Sequence, residues 1–333
     1  MFRESSGHST HILHRLRVQR SIARVSIRLE MLQVARLAPK VLGDEATKLV
    51  VEFLRSQQNE DGGFKDRKGQ SDLYYTVFAL DALTALQQSL DSPRVRAYVE
   101  SFGDGAGLDF IHLCALTRCW AAITYESSRS AETKRLAIPA ATRDSLLQRL
   151  SVFRARDGGF NPTPDSARGT AYGAFLGVAA HQDLQAELPQ PMELVRSLKF
   201  LETEDGAWTN EIFGRSQMPV GATNATAAAV TVLRNLNMPM NSTVGDWLLA
   251  QAHPQGGFLA VPGAPIPDLL STATALHALA GLQVSFERIK EPCLDFVDSL
   301  WTNEGGFHGN WADDHLDGEY TCYGLLALGH LSL

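Results

Sequence analysis

The chain has only four cysteines, Cys114, Cys119, Cys293 and Cys322, and no two of them form a CxxC pair. Thiols this few and this scattered do not build a disulfide framework, and they predict a reducing, cytoplasmic setting. Long apolar runs are missing too. No segment approaches the roughly 20 apolar residues that a membrane-spanning helix needs, and the N-terminus lacks the apolar core of a secretory leader. Positive charge is also in deficit: a net charge of −7 argues against a nucleic-acid partner.

What base there is collects at one end. The first 40 residues hold eight Lys or Arg against two acids. Within residues 11–38, Ile22, Val25, Leu29 and Leu32 recur at three- and four-residue steps, with Arg17, Arg20, Arg24 and Arg28 between them. That spacing predicts an amphipathic helix packed on the outside of the body with its basic face in water. Peripheral membrane contact and partner docking are the alternatives, and the Arg- and Ser-rich composition also fits an organelle-targeting segment. Residues 1–44 are therefore read as a basic arm and residues 45–333 as the body.

The body repeats. Gly62-Gly63-Phe64, Gly158-Gly159-Phe160, Gly206-Ala207-Trp208, Gly256-Gly257-Phe258 and Gly305-Gly306-Phe307 fall 96, 48, 50 and 49 residues apart. The first interval spans two periods, so a degenerate copy is expected near residue 110, and Gly103 to Leu108 lies there. Each unit reads as an outer helix, a glycine turn and an inner helix rich in small and apolar residues. Glycine permits positive φ where the outer helix stops, the aromatic after it wedges between neighbouring hairpins, and a polar residue such as Asp72, Asp109 or Asp268 caps the inner helix. A hairpin of this kind cannot bury both its faces alone, so copies must stack. Six copies are best closed into a ring, because closure removes both uncapped ends.

The segments QQNEDGGF at 57–64, RARDGGF at 154–160 and WTNEGGF at 301–307 resemble the repeats shared by protein prenyltransferase β subunits and squalene/terpene cyclases. The resemblance covers about residues 45–331 and implies an all-α (α/α)6 toroid of six helical hairpins, here with an extra N-terminal helix. It further implies an inner wall around an apolar cavity for an isoprenoid or similar apolar molecule, and a single ring is closer to a prenyltransferase β subunit. That in turn implies a helical α-subunit-like partner or a protein acceptor. The family's zinc is held by an Asp-x-Cys pair and a His. Asp268 matches the Asp, whereas Leu270 and Tyr320 stand at the Cys and His positions. One ligand does not hold zinc, so zinc is not expected and no other cofactor is implied. The stretch where the family grips diphosphate, residues 259–267, contains no Arg or Lys. The D-x-D-D-T-A motif of class II cyclases also begins at Asp268, with Leu270 in place of the protonating Asp and Ser271 in place of the next. Capping amides favour an ionised Asp268. Prenyl transfer or cyclisation would then proceed only at a non-standard site, and the competing reading is a non-catalytic ring that binds a protein or an apolar ligand.

The residues that carry chemistry are each weighed against a plainer role. Asp72, Asp109 and Asp268 form an acidic rim or simply cap helices, while His112 faces the same opening or sits as an ordinary helix histidine. Tyr320 occupies the position of the lost ligand. Tyr74, Tyr75, Phe78, Tyr172, Phe175 and Tyr323 line a cavity, where aromatic faces would steady a carbocation, or pack a core. Arg168, Arg215, Lys65, Arg67 and Lys68 recover anion binding or are solvated surface charges. The densest group of potential ligands is His308, Asp313, Asp314, His315, Asp317 and Glu319. Its oxygens would suit a divalent cation, with Asp313, Asp314, His315 and Asp317 as the ligands, and a solvated acidic loop is the plainer reading.

Overall fold

The computed structural model describes residues 25–129, 137–212 and 219–333. The elements in order are α1 (Ile27–Ala35), α2 (Pro39–Ser56), a short hairpin of β1 (Phe64–Lys65) and β2 (Ser71–Asp72), α3 (Leu73–Ala85), α4 (Ser92–Ser101), α5 (Phe110–Arg129), α6 (Ala140–Val152), α7 (Ala171–Asp183), α8 (Pro191–Phe200), α9 (Thr223–Asn235), α10 (Thr243–Leu249), α11 (Leu269–Gly281), α12 (Lys290–Ser299) and α13 (Gly318–Leu331). Two layers follow from composition. Inner helices such as α11 bury residues all round, from Leu269 to Leu279, and a helix apolar on every side must be covered on every side. Outer helices such as α12 bury one face, through Cys293, Phe296 and Val297. Each inner helix packs on the next, α3 on α5, α5 on α7, α7 on α9, α9 on α11 and α11 on α13, and α13 packs back on α3. The ring is closed, as the repeat predicts: an (α/α)6 toroid.

The turns are built alike. Phe64, Phe160, Trp208, Phe258 and Phe307 are at most 2% exposed, and each pairs with the residue six positions before it, as Gln58 with Phe64 and Trp301 with Phe307. Three of these aromatics donate their backbone N–H to a threonine of the following inner helix, Thr76, Thr226 or Thr272. Glycine is required where backbones cross. Gly305 has φ 92°, and a Cβ there would run into the carbonyl of Leu49 in α2. The last turn therefore rests on the first outer helix, and closure extends to the outer layer. The degenerate copy makes no such bridge among the described residues. There Phe110, fully buried, stacks on Phe160 with ring centroids 5.9 Å apart.

The N-terminal helix departs from expectation. It lies across one end of the ring, where α1 touches α3, α7 and α13, instead of on the outside. Its backbone crosses closest at Gly329, where a Cβ would meet Val34. Arg28, expected in water, is 3% exposed and bonded to Asp81 of α3. The carboxyl ends of six helices gather there, and their dipoles favour a cation. Arg17, Arg20, Arg24 and Arg215 lie outside the described residues. No helix among the described residues is long and apolar enough to cross a membrane.

Candidate functional site

The ring encloses a cavity of about 430 Å³, walled by all six inner helices and floored by Met31, Leu32 and Ala35 of α1. Counting from the residue before each inner helix sorts the wall by depth, because positions two, five or six, and nine share one helix face. Position two is the mouth, with Tyr74, Ile111, Tyr172, Asn224 and Leu270. Positions five and six make a waist of Phe78, Ala115, Phe175, Ala228 and Tyr323, with Cys114 and Cys322 between. Position nine is the floor, with Asp81, Arg118, Thr231, His277 and Leu326. At 1.5 Å per residue, mouth and floor lie about 10 Å apart.

Five of the aromatics singled out in the sequence, Tyr74, Phe78, Tyr172, Phe175 and Tyr323, stand in this wall. Tyr74 meets Phe78 edge-on at 5.0 Å, and Phe78 meets Tyr323 at 5.4 Å. Tyr75 is outside the wall, edge-on to Tyr74 at 5.6 Å. Arg168 is also outside it: its guanidinium lies 3.3 Å over the ring of Phe200, on an outer helix, so it does not reach a ligand in the cavity. Lys65 donates to the backbone of Ser56.

Asp72, Asp109, Asp268 and Asp317 cap their helices, each accepting a backbone N–H from the first turn. His112 bridges two of them, with Nδ1 2.9 Å from Asp109 and Nε2 3.0 Å from Asp72. Burial lowers its pKa, but the bonds to the two carboxylates outweigh that and raise it. Asp268 accepts from both the N–H and the hydroxyl of Ser271, each at 2.7 Å and on separate oxygens. Its pKa is shifted upward, because burial outweighs those bonds; the shift is opposite to the one that capping alone predicts. Leu270 is part of the cavity wall, and the Tyr320 ring lies beneath the Arg67 guanidinium at 5.5 Å. One engaged carboxylate, a hydrocarbon and a covered ring do not make a zinc site.

Arg67 also engages the cation loop. Its Nε donates to Asp317 and its Nη2 to Asp313, both at 2.9 Å, so a fixed guanidinium already holds two of the proposed ligands. Asp313, Asp314 and His315 still converge within 4.8 Å, while Asp317 is turned to capping α13.

Two groupings were not foreseen. Glu319 is the mouth-layer residue of α13, and the Tyr74 hydroxyl donates to its Oε1 at 2.6 Å. Burial lifts the Glu319 pKa to about 7, the Tyr74 bond pulling down and the Asp317 charge pushing up. The second grouping is the floor. Asp81, 1% exposed, takes Arg28 Nε on one oxygen and Arg118 Nε on the other, both at 2.7 Å. Asp183 faces the same arginines, and burial holds its pKa at about 6. Arg234 pairs with Glu30 of α1. His277 Nδ1 lies 3.1 Å from His330 Nε2, while the other ring nitrogen of each makes no hydrogen bond among the described residues, that of His277 lying 4.0 Å from Glu30 Oε1. Lone polar residues at position nine of otherwise apolar helices were the available signal for this layer.

A sequence search among curated proteins finds no match. Solved structures share the fold at low identity. A Candida albicans protein geranylgeranyltransferase-I, complexed with GGPP, aligns with TM-score 0.62 and 12% identity over 86% of this chain and 90% of that one. The Scytonema type II terpene cyclase MstE, bound to geranylgeranyl dihydroxybenzoate, aligns with TM-score 0.57 and 12% identity over 92% and 98%. A polysaccharide lyase aligns with TM-score 0.57 and 11% identity over 89% and 97%, so the ring alone does not select a chemistry. The family model for the prenyltransferase alpha-alpha toroid domain matches residues 46–113 and 222–331. That is more than half of the sequence, and the chain belongs to this family.

Proposed function

We propose that this protein takes an isoprenoid-class molecule into its ring and acts on it by proton transfer at the mouth, from Glu319 through Tyr74. The observation that carries the reading is the Glu319 carboxyl, hydrogen-bonded to a cavity-lining phenol and kept near half-protonated at neutral pH by burial. An alkene is a very weak base, so its protonation needs a carboxyl that is neutral and held in place. The alkene π electrons take the Tyr74 hydroxyl proton while the neutral Glu319 carboxyl, turned to donate to the phenol oxygen, replaces it, leaving a carboxylate on Glu319 and a carbocation in the ligand. The faces of Phe78, Tyr172 and Tyr323 suit that cation. A proton from a neighbouring carbon then returns through Tyr74 to the Glu319 carboxylate, which leaves a neutral isomer and restores the acid. Two features support this over metal-dependent prenyl transfer: the zinc positions hold Leu270 and Tyr320, and Arg67 at the mouth is engaged by Asp313 and Asp317. A helical partner subunit, as the family resemblance implies, is compatible with a ring whose site lies wholly within one chain.

The test is incubation of the protein with farnesyl diphosphate, geranylgeranyl diphosphate and squalene, followed by mass spectrometry. The expected result is an isomeric product whose rate falls as pH rises through about 7, and a loss of about 10²–10⁴ in turnover for Glu319→Gln. Binding without turnover would favour the non-catalytic ring, for which the sealed carboxylate of Asp268 already speaks. One tightly bound zinc per chain would overturn the assignment of the site.

A further inference from the structure

We infer that the ligand carries a carboxylate at its buried end and that Arg118 receives it at the floor of the cavity. The inference rests on the reading of the cavity as an isoprenoid-class site. Arg118 lines the cavity and gives only its Nε to Asp81. Its two terminal nitrogens have no hydrogen-bond partner among the described residues, and the side chain is 15% exposed. Beside it in the same layer stands His277, 5% exposed, whose Nε2 is buried 4.0 Å from Glu30 Oε1. Buried polar groups are ordinarily satisfied, and the free donors of Arg118 on the cavity wall mark where a polar ligand atom belongs. Arg28 and Arg118 face two carboxyls, Asp81 and Asp183, but the terminal N–H groups of Arg118 bond to neither, and a ligand carboxylate would take them with charge-assisted hydrogen bonds. Asp183 is the remaining carboxyl facing the two arginines. Burial raises its pKa to about 6, and a bound anion would raise it further.

Among the described residues the mouth offers nothing comparable. Arg67 has both of its facing nitrogens bonded to aspartates, and residues 259–267 contain no Lys or Arg. The polar head therefore goes down and the hydrocarbon tail up. With the head on Arg118, the part of the chain about 10 Å away reaches Tyr74 and Glu319, so a distal double bond meets the proton donor. The substrate class is an unsaturated long-chain acid, and its head and reacting end are bound by opposite layers of one wall.

Farnesoic acid and farnesene share a hydrocarbon skeleton and differ at the head, so titration calorimetry of both against the full chain isolates the floor. Wild-type protein should bind the acid at least tenfold more tightly than the hydrocarbon, and Arg118→Met should bring the acid down to the level of the hydrocarbon while leaving the hydrocarbon unchanged. Arg118→Lys, which keeps the charge but not the fork, should retain an intermediate preference. If Arg118→Met loses its near-ultraviolet circular dichroism and does not fold, the lysine variant carries the comparison. Equal affinity of the wild type for acid and hydrocarbon, or an equal loss on both probes in either folded variant, overturns the inference and leaves the cavity reading standing. Failure of the wild type to bind either probe overturns the cavity reading itself.

Discussion

The mouth and the floor of the ring use the same kind of residue in opposite ways. At the mouth, carboxylates meet backbone amides: Asp72, Asp109 and Asp268 each cap a helix, a job that contributes about 1 kcal/mol apiece. At the floor, Asp81 is sealed between Arg28 and Arg118, and no backbone amide is available to it. Removing a cap exposes one N–H to solvent, whereas removing the floor carboxylate leaves two guanidinium groups facing each other in a dry layer. The difference teaches that depth decides what a charge is worth, and that α1 is fastened to the ring by its charges as much as by its apolar face.

The sharpest way to break this contrast is Asp81→Ala. Taking one partner from a buried ion cluster costs about 3–5 kcal/mol, so the midpoint of urea unfolding should fall far more than for Asp268→Ala, expected at about 1 kcal/mol. Equal losses at the two positions would mean that the floor is wetter than the burial of Asp81 implies.

The second expected effect uses acid. Burial holds His277 down to about 4 and His330 down to about 3, against an ordinary imidazole value near 6.5. The unfolded chain therefore takes up these protons first. The stability contributed by neutral imidazoles is complete above about pH 6.5 and is lost as pH falls toward 4, by about 2–3 kcal/mol between pH 6.5 and 5. Denaturation followed across that range should show the decline, and replacing both histidines with leucine should flatten it. A stability curve that is flat in the wild type would place the pair in water.

The ring itself was legible in the chain because a repeat is a pattern that survives substitution: the glycine turns must cross a neighbouring backbone, and each aromatic must fill the same wedge. The aromatic wall was legible for a similar reason, as Tyr74, Phe78, Tyr172, Phe175 and Tyr323 recur on inner helices at fixed offsets from their caps. The site chemistry was less so. Asp268 matches a motif, but both of its oxygens are taken by Ser271. The more telling carboxyl was Glu319, whose partner Tyr74 lies 245 residues away. No local pattern reports that closure of the ring brings α3 beside α13. Asp81, Arg118 and His277 were each unremarked for the same cause, since α1 becomes the floor only once its own arginine is seen to turn inward. Arg168 misled in the other direction: a charge at the start of an inner helix can still leave the ring and stack on the outer layer.

The smallest effect sharpens the comparison from the mouth side. His112 joins the caps of α3 and α5 through Asp72 and Asp109, and its side chain is 34% exposed. Its pKa is raised in the folded chain, so its contribution is fully present below the unfolded imidazole value, near 6.5, and is lost as pH rises through the folded value. This is the reverse of the floor histidines. Solvent screening keeps such an exposed pair below about 1 kcal/mol. His112→Gln, which retains hydrogen bonding without the charge, should therefore lower stability slightly at pH 6 and leave it unchanged at pH 9, as read from paired urea midpoints. Salt should erode the pH 6 difference because the charges lie at the surface. A loss at pH 9 equal to that at pH 6 would show that the imidazole acts there by its shape and not by its charge, and the mouth would then differ from the floor in exposure alone.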